Sequence, residues 1–565
     1  MKVKGQTIVR SIVLFIILLF PNILACFVAS DLSSLVKTIA YMVVVCACLF
    51  LPMLLLRRRT YFIVMGVLSL FCAPIEIASL YLNHNPATAT FVGLFFHTNW
   101  NEMTGVLSVI WPLVIGIIVV WVSYFVLASR QPNEWIIPHR VGLWMTGVGL
   151  PLLLISALFF FYHYARNINN IQDKKEAFMF AKELIVMKFN KIFPYNIYLN
   201  SQSVIAEHYH AKQAQKDLDS FRFGIEAPKD SLAELYILVI GEAARSENFA
   251  LNGYERETTP RLLRRKHLVS YRNIHSQAGT TEVSVPYIIS RITVSDKKLL
   301  NTEKTLPEAF HEAGYQTAWI TNQSHILCTE RILATVDKRF ESGKDMSTTN
   351  NYDEYLLAPL QKILTSRSAK QFMIVHTMGS HWRYDTRYPS QFELFTPSLG
   401  DDFRLSMIKP SNRQKLVNAY DNTILYTDYF LDSLISVTEK QQIPAIVLYI
   451  SDHGENLYDD EQKLILHGNY SASKWLYHIP LIVWYSDAYE ALYPEKVAAL
   501  HAHVNSRDNS SVVFHSMIDA AGLAYTNDTA GNATMRTRSI FSSSYCPLDT
   551  LFALTAEGEC IALEY

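Results

Sequence analysis

Two apolar runs in this chain end on side chains that bind metals. Ala445-Ile-Val-Leu-Tyr-Ile-Ser-Asp-His-Gly-Glu455 is a β-branched stretch that stops on Asp452 and His453, and Leu235-Tyr-Ile-Leu-Val-Ile-Gly-Glu242 stops on a carboxylate. Both read as buried strands. In parallel α/β sheets the carboxyl ends of neighbouring strands are where ligands and catalytic groups assemble. Glu242, Asp452 and His453 are therefore expected to share one metal ion, whose remaining open position could activate a nucleophile.

A nucleophile is available between the two runs. Gly279-Thr-Thr-Glu-Val-Ser-Val-Pro286 places adjacent hydroxyls after a glycine turn and before an expected helix, whose free amides favour an anion. One of these threonines could bind the metal and attack phosphorus; equally, they could cap the helix. Further candidates follow other strand-like runs: Thr321-Asn-Gln-Ser324, His376-Thr-Met-Gly-Ser-His381, then His467-Gly468 and His478 after the acidic cluster. Loops after strands are where a metal or phosphate site is built.

These positions need a scaffold. From Leu232 to about Tyr525 strand and helix patterns alternate, as in a mainly parallel sheet covered on both faces. Tyr315 to Ile320, Phe372 to Val375 and Leu481 to Tyr485 are further strands, and Leu306 to Ala313 is an amphipathic helix. Thr526 to Tyr565 has weak periodicity and is expected to wrap the domain as a tail.

The amino-terminal part differs in kind. Ser11 to Ser30, Thr38 to Leu56, Met103 to Ser129 and Val141 to Tyr162 hold no Asp, Glu, Lys or Arg, and Thr60 to Leu82 holds only Glu76. Each is long enough to cross a bilayer as a helix. Five spans are expected, the first a true span rather than a leader because it is long, holds Pro21 and precedes four others. Lys2, Lys4 and Arg10, then Arg57 to Arg59, then Arg130 and Arg140 mark the cytoplasmic side. Everything after about Tyr164 then lies outside, in the periplasm of a bacterial cell. Glu76 sits near the outer end of its span and is expected to reach the interface.

Three segments result: a transmembrane domain over 1–165, a linker over 166–231 and a catalytic domain over 232–565. Within the linker, Lys174 to Phe193 mixes aromatic and Lys residues in a way that suits a helix on the membrane surface or on the soluble domain. Ser203 to Phe221 reads as a polar helical connector. A net charge of −1 argues against nucleic-acid partners. Cys26, Cys46, Cys48 and Cys72 fall in spans; Cys546 and Cys560 could pair in an oxidising compartment, leaving Cys328 single.

The chain resembles the bacterial phosphoethanolamine transferases, membrane members of the alkaline phosphatase and sulfatase superfamily. Ile240-Gly-Glu-Ala-Ala-Arg-Ser-Glu-Asn-Phe-Ala-Leu-Asn-Gly-Tyr254 with Arg256 and Thr258-Thr-Pro260 is similar to the family's first metal motif, and Ser451-Asp-His-Gly-Glu455 to its second. His467-Gly468 and His478-Ile-Pro480 resemble its trailing histidine motifs. The resemblance implies an alkaline phosphatase-like domain behind a five-helix membrane domain. It also implies that Thr281, five residues before Pro286, is the nucleophile, and that Glu242, Thr281, Asp452 and His453 hold Zn²⁺, with Mn²⁺ the lesser alternative. By the same resemblance His381, His467 and His478 contact substrate phosphate or a second metal ion, and Thr98, Asn99 and Glu102 hold a lipid head group.

The implied activity moves phosphoethanolamine from phosphatidylethanolamine to lipopolysaccharide, on an inner-core sugar or lipid A, through a phosphothreonine intermediate. The implied setting is a monomer among inner-membrane lipids. A phosphoglycerol transferase of the lipoteichoic acid synthase type is the nearest alternative. Ala278, Glu282 and Tyr287 depart from the pattern of the lipid A-modifying members, some of which have cysteines at the first and last of these places. Gly253-Tyr-Glu-Arg-Glu-Thr-Thr-Pro260 and Trp319-Ile-Thr-Asn-Gln323 look closer to the inner-core branch.

Overall fold

The computed structural model describes residues 2–28, 35–83, 86–88, 91–93, 100–167, 191–202, 221–229, 232–296, 302–323, 335–341, 352–365, 370–400, 409–459, 463–467, 473–555 and 558–564, with a few single residues and pairs between them. The chain divides into two compact units, Met1–Thr98 with Val106–His208, and Asn99–Gly105 with Tyr209–Tyr565.

The first unit is helical: α1 (Lys2–Val28), α2 (Leu35–Phe50), α3 (Arg58–Asn83), α4 (Trp100–Ser129) and α5 (Leu150–Asn167). Among the described residues, Gly5–Val28, Arg58–Leu80 and His139–His163 are long and apolar enough to cross a membrane, and Tyr41–Leu54 and Ile115–Ser129 are shorter apolar helices. The last long span runs through a π-helical turn, Met145–Gly149, just before α5. Several polar side chains inside this unit bond other segments of the same unit. Asn22 bonds Phe193 in both directions, at 3.0 and 3.1 Å, and the Tyr41 hydroxyl donates to the Lys191 carbonyl. Glu76 does not reach a surface: it is buried and accepts from the Ala87 amide and, at 2.6 Å, from Asn196. A carboxylate in an apolar bundle needs such donors, and these come from chain segments distant in sequence. The surface-helix expectation for Lys174 to Phe193 and the connector Ser203 to Phe221 fall largely outside the described residues.

The second unit is built on an eight-stranded sheet. Its strands are β1 (Glu234–Gly241), β2 (Leu268–His275), β3 (Gln316–Thr321), β4 (Lys338–Glu341), β5 (Lys370–His376), β6 (Ala445–Ser451), β7 (His478–Tyr485) and β8 (Asp508–Asn509). The spatial order is β8-β2-β7-β6-β1-β5-β3-β4. Only β7 runs against its neighbours β2 and β6; the other pairings are parallel. The continuous apolar runs are explained by burial on both faces. Tyr236, Leu238 and Ile240 join the main core, while the alternate residues Leu235, Ile237 and Val239 are also buried. Each such side chain contributes about 1.5–3 kcal/mol through burial.

Two helices matter for the site: α6 (Thr281–Ile288) and α7 (Arg413–Glu439), the latter buried along most of its length. The carboxyl-terminal tail is more regular than its composition suggests. It forms a helix, Thr529–Arg538, and a hairpin of β9 (Leu551–Leu554) and β10 (Cys560–Leu563). Leu554 donates its amide to the Gln277 carbonyl at 2.8 Å, which ties the hairpin to the turn before α6. Cys546 and Cys560 are each unpaired and exposed, so the expected disulfide is not formed; Cys560 faces Leu554 across the hairpin instead.

Candidate active site

Register brings the two metal-binding runs together. β1 and β6 are parallel neighbours with Gly241 opposite Ser451, so Glu242 and Asp452 leave the sheet side by side. The turn after β1 is fixed by that neighbour: Ala243 and Ala244 donate their amides to Asp452 Oδ1 and Ser451 Oγ, at 3.0 and 2.8 Å. Gly241 is required because a Cβ there would lie 2.4 Å from the Tyr449 hydroxyl.

Thr281 opens α6, with Thr280 at the cap position making no side-chain capping bond. The capping alternative therefore gives way to one in which Thr281 faces the acids. Its hydroxyl donates to Glu242 Oε2 at 3.0 Å and lies 3.2 Å from His453 Nε2. His453 Nε2 is 3.5 Å from Glu242 Oε1 and 3.4 Å from Asp452 Oδ2.

The donor set fits a divalent cation. Glu242, Asp452 and His453 are fully buried, and the two outer oxygens, Glu242 Oε1 and Asp452 Oδ2, accept no hydrogen bond from any described residue. Two bare carboxylate oxygens in a dry site are costly unless a cation sits between them. Without one, burial and repulsion from Asp452 push the Glu242 carboxyl well above its usual range. The ligand atoms of Glu242, Asp452 and His453 lie within 4.8 Å of one another, as do those of a second group, Glu242, His381 and His467.

The three histidines share one orientation. His453 Nδ1 is 2.7 Å from the Gly454 carbonyl, His381 Nδ1 is 2.6 Å from the Trp382 carbonyl, and His467 Nδ1 is 3.4 Å from Glu455. A carbonyl only accepts, so the proton of His453 and of His381 sits on Nδ1, and Nε2 presents a lone pair. Burial lowers the His453 imidazole and brings His381 to about 3, with Arg387 and His467 adding to the effect. Burial also opposes charge on His467, but Glu455 beside it prevails and holds the imidazole above its usual value.

His478 is not brought into either group. Its two ring nitrogens are taken at 2.7 Å each, Nδ1 by Glu247 and Nε2 by the Arg272 carbonyl, and its ring stacks on His275. It holds β7 against β2 and has no nitrogen left for substrate. Thr98 and Asn99 lie outside the described residues; Glu102 lies in α4, where its side chain is not described.

Several residues of the site carry no motif. Gln323 donates to Glu242 Oε2 at 2.9 Å and to the Thr377 carbonyl at 3.0 Å, fixing the inner oxygen of the acid. Asp353 is buried and collects three donors: the amides of Met378 and Gly379 and the Asn322 side chain, at 2.8 to 2.9 Å. It therefore pins the loop that carries His381. Asp353→Ala is expected to leave those donors unpaired at a cost of about 3 kcal/mol or more, seen as a lower Tm with weaker binding of a divalent cation. Gly379 has φ +44°, and a Cβ on it would lie 2.8 Å from the Glu242 carbonyl oxygen. Gly379→Ala should displace Glu242 and weaken metal binding at least about tenfold in a chelator competition, because strain of roughly 1–3 kcal/mol falls on the ligand. From α7, Tyr420 donates to the Ala243 carbonyl at 2.6 Å and accepts the Arg245 amide. Only the strand-end position of Asn322 and Gln323 signalled any of this in sequence.

This sheet, with acids and histidines gathered at the carboxyl ends of its central strands, is of the alkaline phosphatase-like kind. The sulfatase family model matches residues 234–523. Phosphoethanolamine transferase EptA of Helicobacter pylori is 30% identical over 511 residues, covering 86% of this chain and 87% of that protein. The chain belongs to the sulfatase family and, within it, to the phosphoethanolamine transferases. EptA of Escherichia coli is 30% identical over 358 residues, a match that spans 61% of this chain and 60% of the length of that relative. The zinc complex of the periplasmic domain of Escherichia coli EptC superposes with a TM-score of 0.52 at 25% identity, covering 60% of this chain and 94% of that domain.

Proposed function

We propose that this chain is a zinc-dependent phosphoethanolamine transferase of the bacterial inner membrane, taking the head group from phosphatidylethanolamine and placing it on lipopolysaccharide. The observation that carries this reading is the Thr281 hydroxyl set 3.0 Å from Glu242 and 3.2 Å from His453, beside two buried carboxylate oxygens without partners. The kinship with EptA proteins and the zinc found in the EptC domain support it.

Glu242, Thr281, Asp452 and His453 would hold the zinc ion. Bound there, zinc lowers the pKa of the hydroxyl and neutralises charge on the phosphoryl oxygens. Thr281 Oγ, its hydroxyl proton released to water, would attack phosphorus; the bond from phosphorus to the glycerol oxygen breaks, and a phosphoethanolamine ester forms on Thr281. His467, its imidazole held above its usual value by Glu455, gives its proton to the departing diacylglycerol oxygen. In the second half the same imidazole takes a proton from the acceptor hydroxyl as that oxygen attacks phosphorus and frees Thr281. The lone pair on His381 Nε2 would help Glu242 hold a second metal ion, with His467 kept free to carry the proton.

We further propose five spans with the catalytic domain in the periplasm, a reading that the cation distribution supports. Segments 1–165, 166–231 and 232–565 are the membrane domain, the linker and the catalytic domain of a monomer. Thr98, Asn99 and Glu102 are assigned to the donor head group. Purified protein offered phosphatidylethanolamine and phosphatidylglycerol, each labelled in the head group, tests the reading. Label should move only from phosphatidylethanolamine; transfer of glycerol phosphate would overturn it.

A further inference from the structure

The second unit holds a cavity of about 380 Å³ that is lined by none of the metal ligands. Its walls come from the same loops that carry those ligands. Arg245, Glu247, Tyr254 and Arg256 follow Glu242 along the chain, Trp475 and Asp459 bracket His467 in the connection after β6, and Arg413 opens α7. Crevices at this edge of an α/β sheet are where ligands bind.

The polar groups lining the cavity divide into those that are spent and those that are not. Arg245 is fully committed: it bonds Asn248, Asp459 and the Glu455 carbonyl, and its guanidinium lies over the Trp475 ring. Arg256, 31% exposed, uses only Nη1, on Asn418 and Asp421. Its guanidinium lies 5.3 Å from the centre of the Phe395 ring, and its Nε and Nη2 have no hydrogen-bond acceptor among the described residues. Arg413, 43% exposed, bonds the Tyr458 carbonyl through Nε and Asp459 through Nη2, leaving Nη1 unused among them. On the other side Glu247 gives Oε1 to His478, while its Oε2 is buried without a donor.

Two arginines with unused N–H groups therefore line the same cavity as Glu247, a carboxylate with one oxygen that lacks a donor. Tyr254 and Trp475 add aromatic wall. A forked cation suits a phosphate or carboxylate, a bare carboxylate oxygen suits a hydroxyl or amine donor, and aromatic walls suit a ring with an apolar face. One small molecule with all three features is an anionic saccharide.

We propose that this cavity binds the sugar of the acceptor, a phosphate- or carboxylate-bearing saccharide, next to the phosphothreonine of the second half-reaction. The proposal rests on the transferase reading above, and the two are separable by half-reaction. The donor half is followed as the phosphoethanolamine adduct on Thr281 by intact mass, and the acceptor half as transfer to a lipopolysaccharide sugar. In zinc-loaded full-length protein, Arg256→Gln with Arg413→Gln is expected to raise the acceptor KM roughly 10- to 100-fold with little change in kcat, because charge-assisted hydrogen bonds are lost. Adduct formation should stay within about threefold of the parent, and equal zinc content shows that the fold is kept.

A direct arm uses glucosamine 6-phosphate as probe on the Thr281→Ala protein. It should bind, and the added Arg256→Gln and Arg413→Gln changes should weaken it by the same factor; Glu247→Gln should weaken it less. Equal binding to parent and variant, no binding to either, or an equal fall in both half-reactions overturns the cavity assignment. Probe binding that depends on the two arginines, in a wild-type protein that never forms the adduct, would uphold the saccharide site while overturning the transfer reading.

Discussion

Thr281→Ala protein is expected to lose head-group transfer by roughly 10⁴-fold or more, and to show no mass adduct when mixed with phosphatidylethanolamine. Removal of the attacking atom deletes the covalent route outright, leaving only what positioning and charge can do for water. Thr281→Ser keeps an oxygen at the start of α6 and should retain the adduct at reduced rate. The substitution should barely affect folding, since among the described residues the Thr281 hydroxyl bonds only Glu242 and His453. An adduct on the alanine variant would move the nucleophile elsewhere.

Asp452→Asn should abolish activity by at least about 10³-fold through loss of bound zinc, read by elemental analysis. The thermal behaviour is the sharper test. In wild-type protein added zinc should raise Tm, because an ion held at 1,000 times its dissociation constant adds about 4 kcal/mol to the folded state. In Asp452→Asn that rise should vanish. After chelation the order should reverse, with the variant at least as stable as the wild type. Its Oδ1 can still accept from Ala243 and His453, while the repulsion that acts on Glu242 is gone. A chelated variant that melts well below chelated wild type would show that Asp452 is there for packing rather than for a cation.

The chemistry of this site was more legible than its support. Glu242, Asp452 and His453 were visible because a buried strand ending on an ionisable group has few structural reasons to exist, and β1 and β6 then turned out to be neighbours in register. The strands at 316–321 and 370–376 and the helix at 306–312 likewise follow apolar periodicity. β2 escaped notice because Ser270, Arg272 and Asn273 interrupt its apolar residues. The direction of β7 was not readable, since periodicity carries no sign. His478 looked like a ligand by its place in a motif; its partners Glu247 and Arg272 are set by strand pairing, which only the fold reveals. Asp353 and Tyr420 were invisible for a related reason, and Gln323 showed only its place after a strand, not its partner. Each bonds a segment far away in sequence, and a lone polar residue gives no hint of such a partner.

The reversed strand has one more effect. Because β7 runs against β6, the chain from Gly454 to Tyr477 leaves and rejoins the sheet at the same edge, beside the metal ligands. A parallel return would have sent this stretch across a face of the sheet and back. Here instead the chain goes out and returns at one end of the sheet, its described part folding back on itself where Asn456–Leu457 pairs with Ile465–Leu466, so its length can vary without rethreading the domain. Acceptor preference is thus free to drift during descent from a common ancestor, by growth or trimming of this excursion, while the phosphorus chemistry stays fixed.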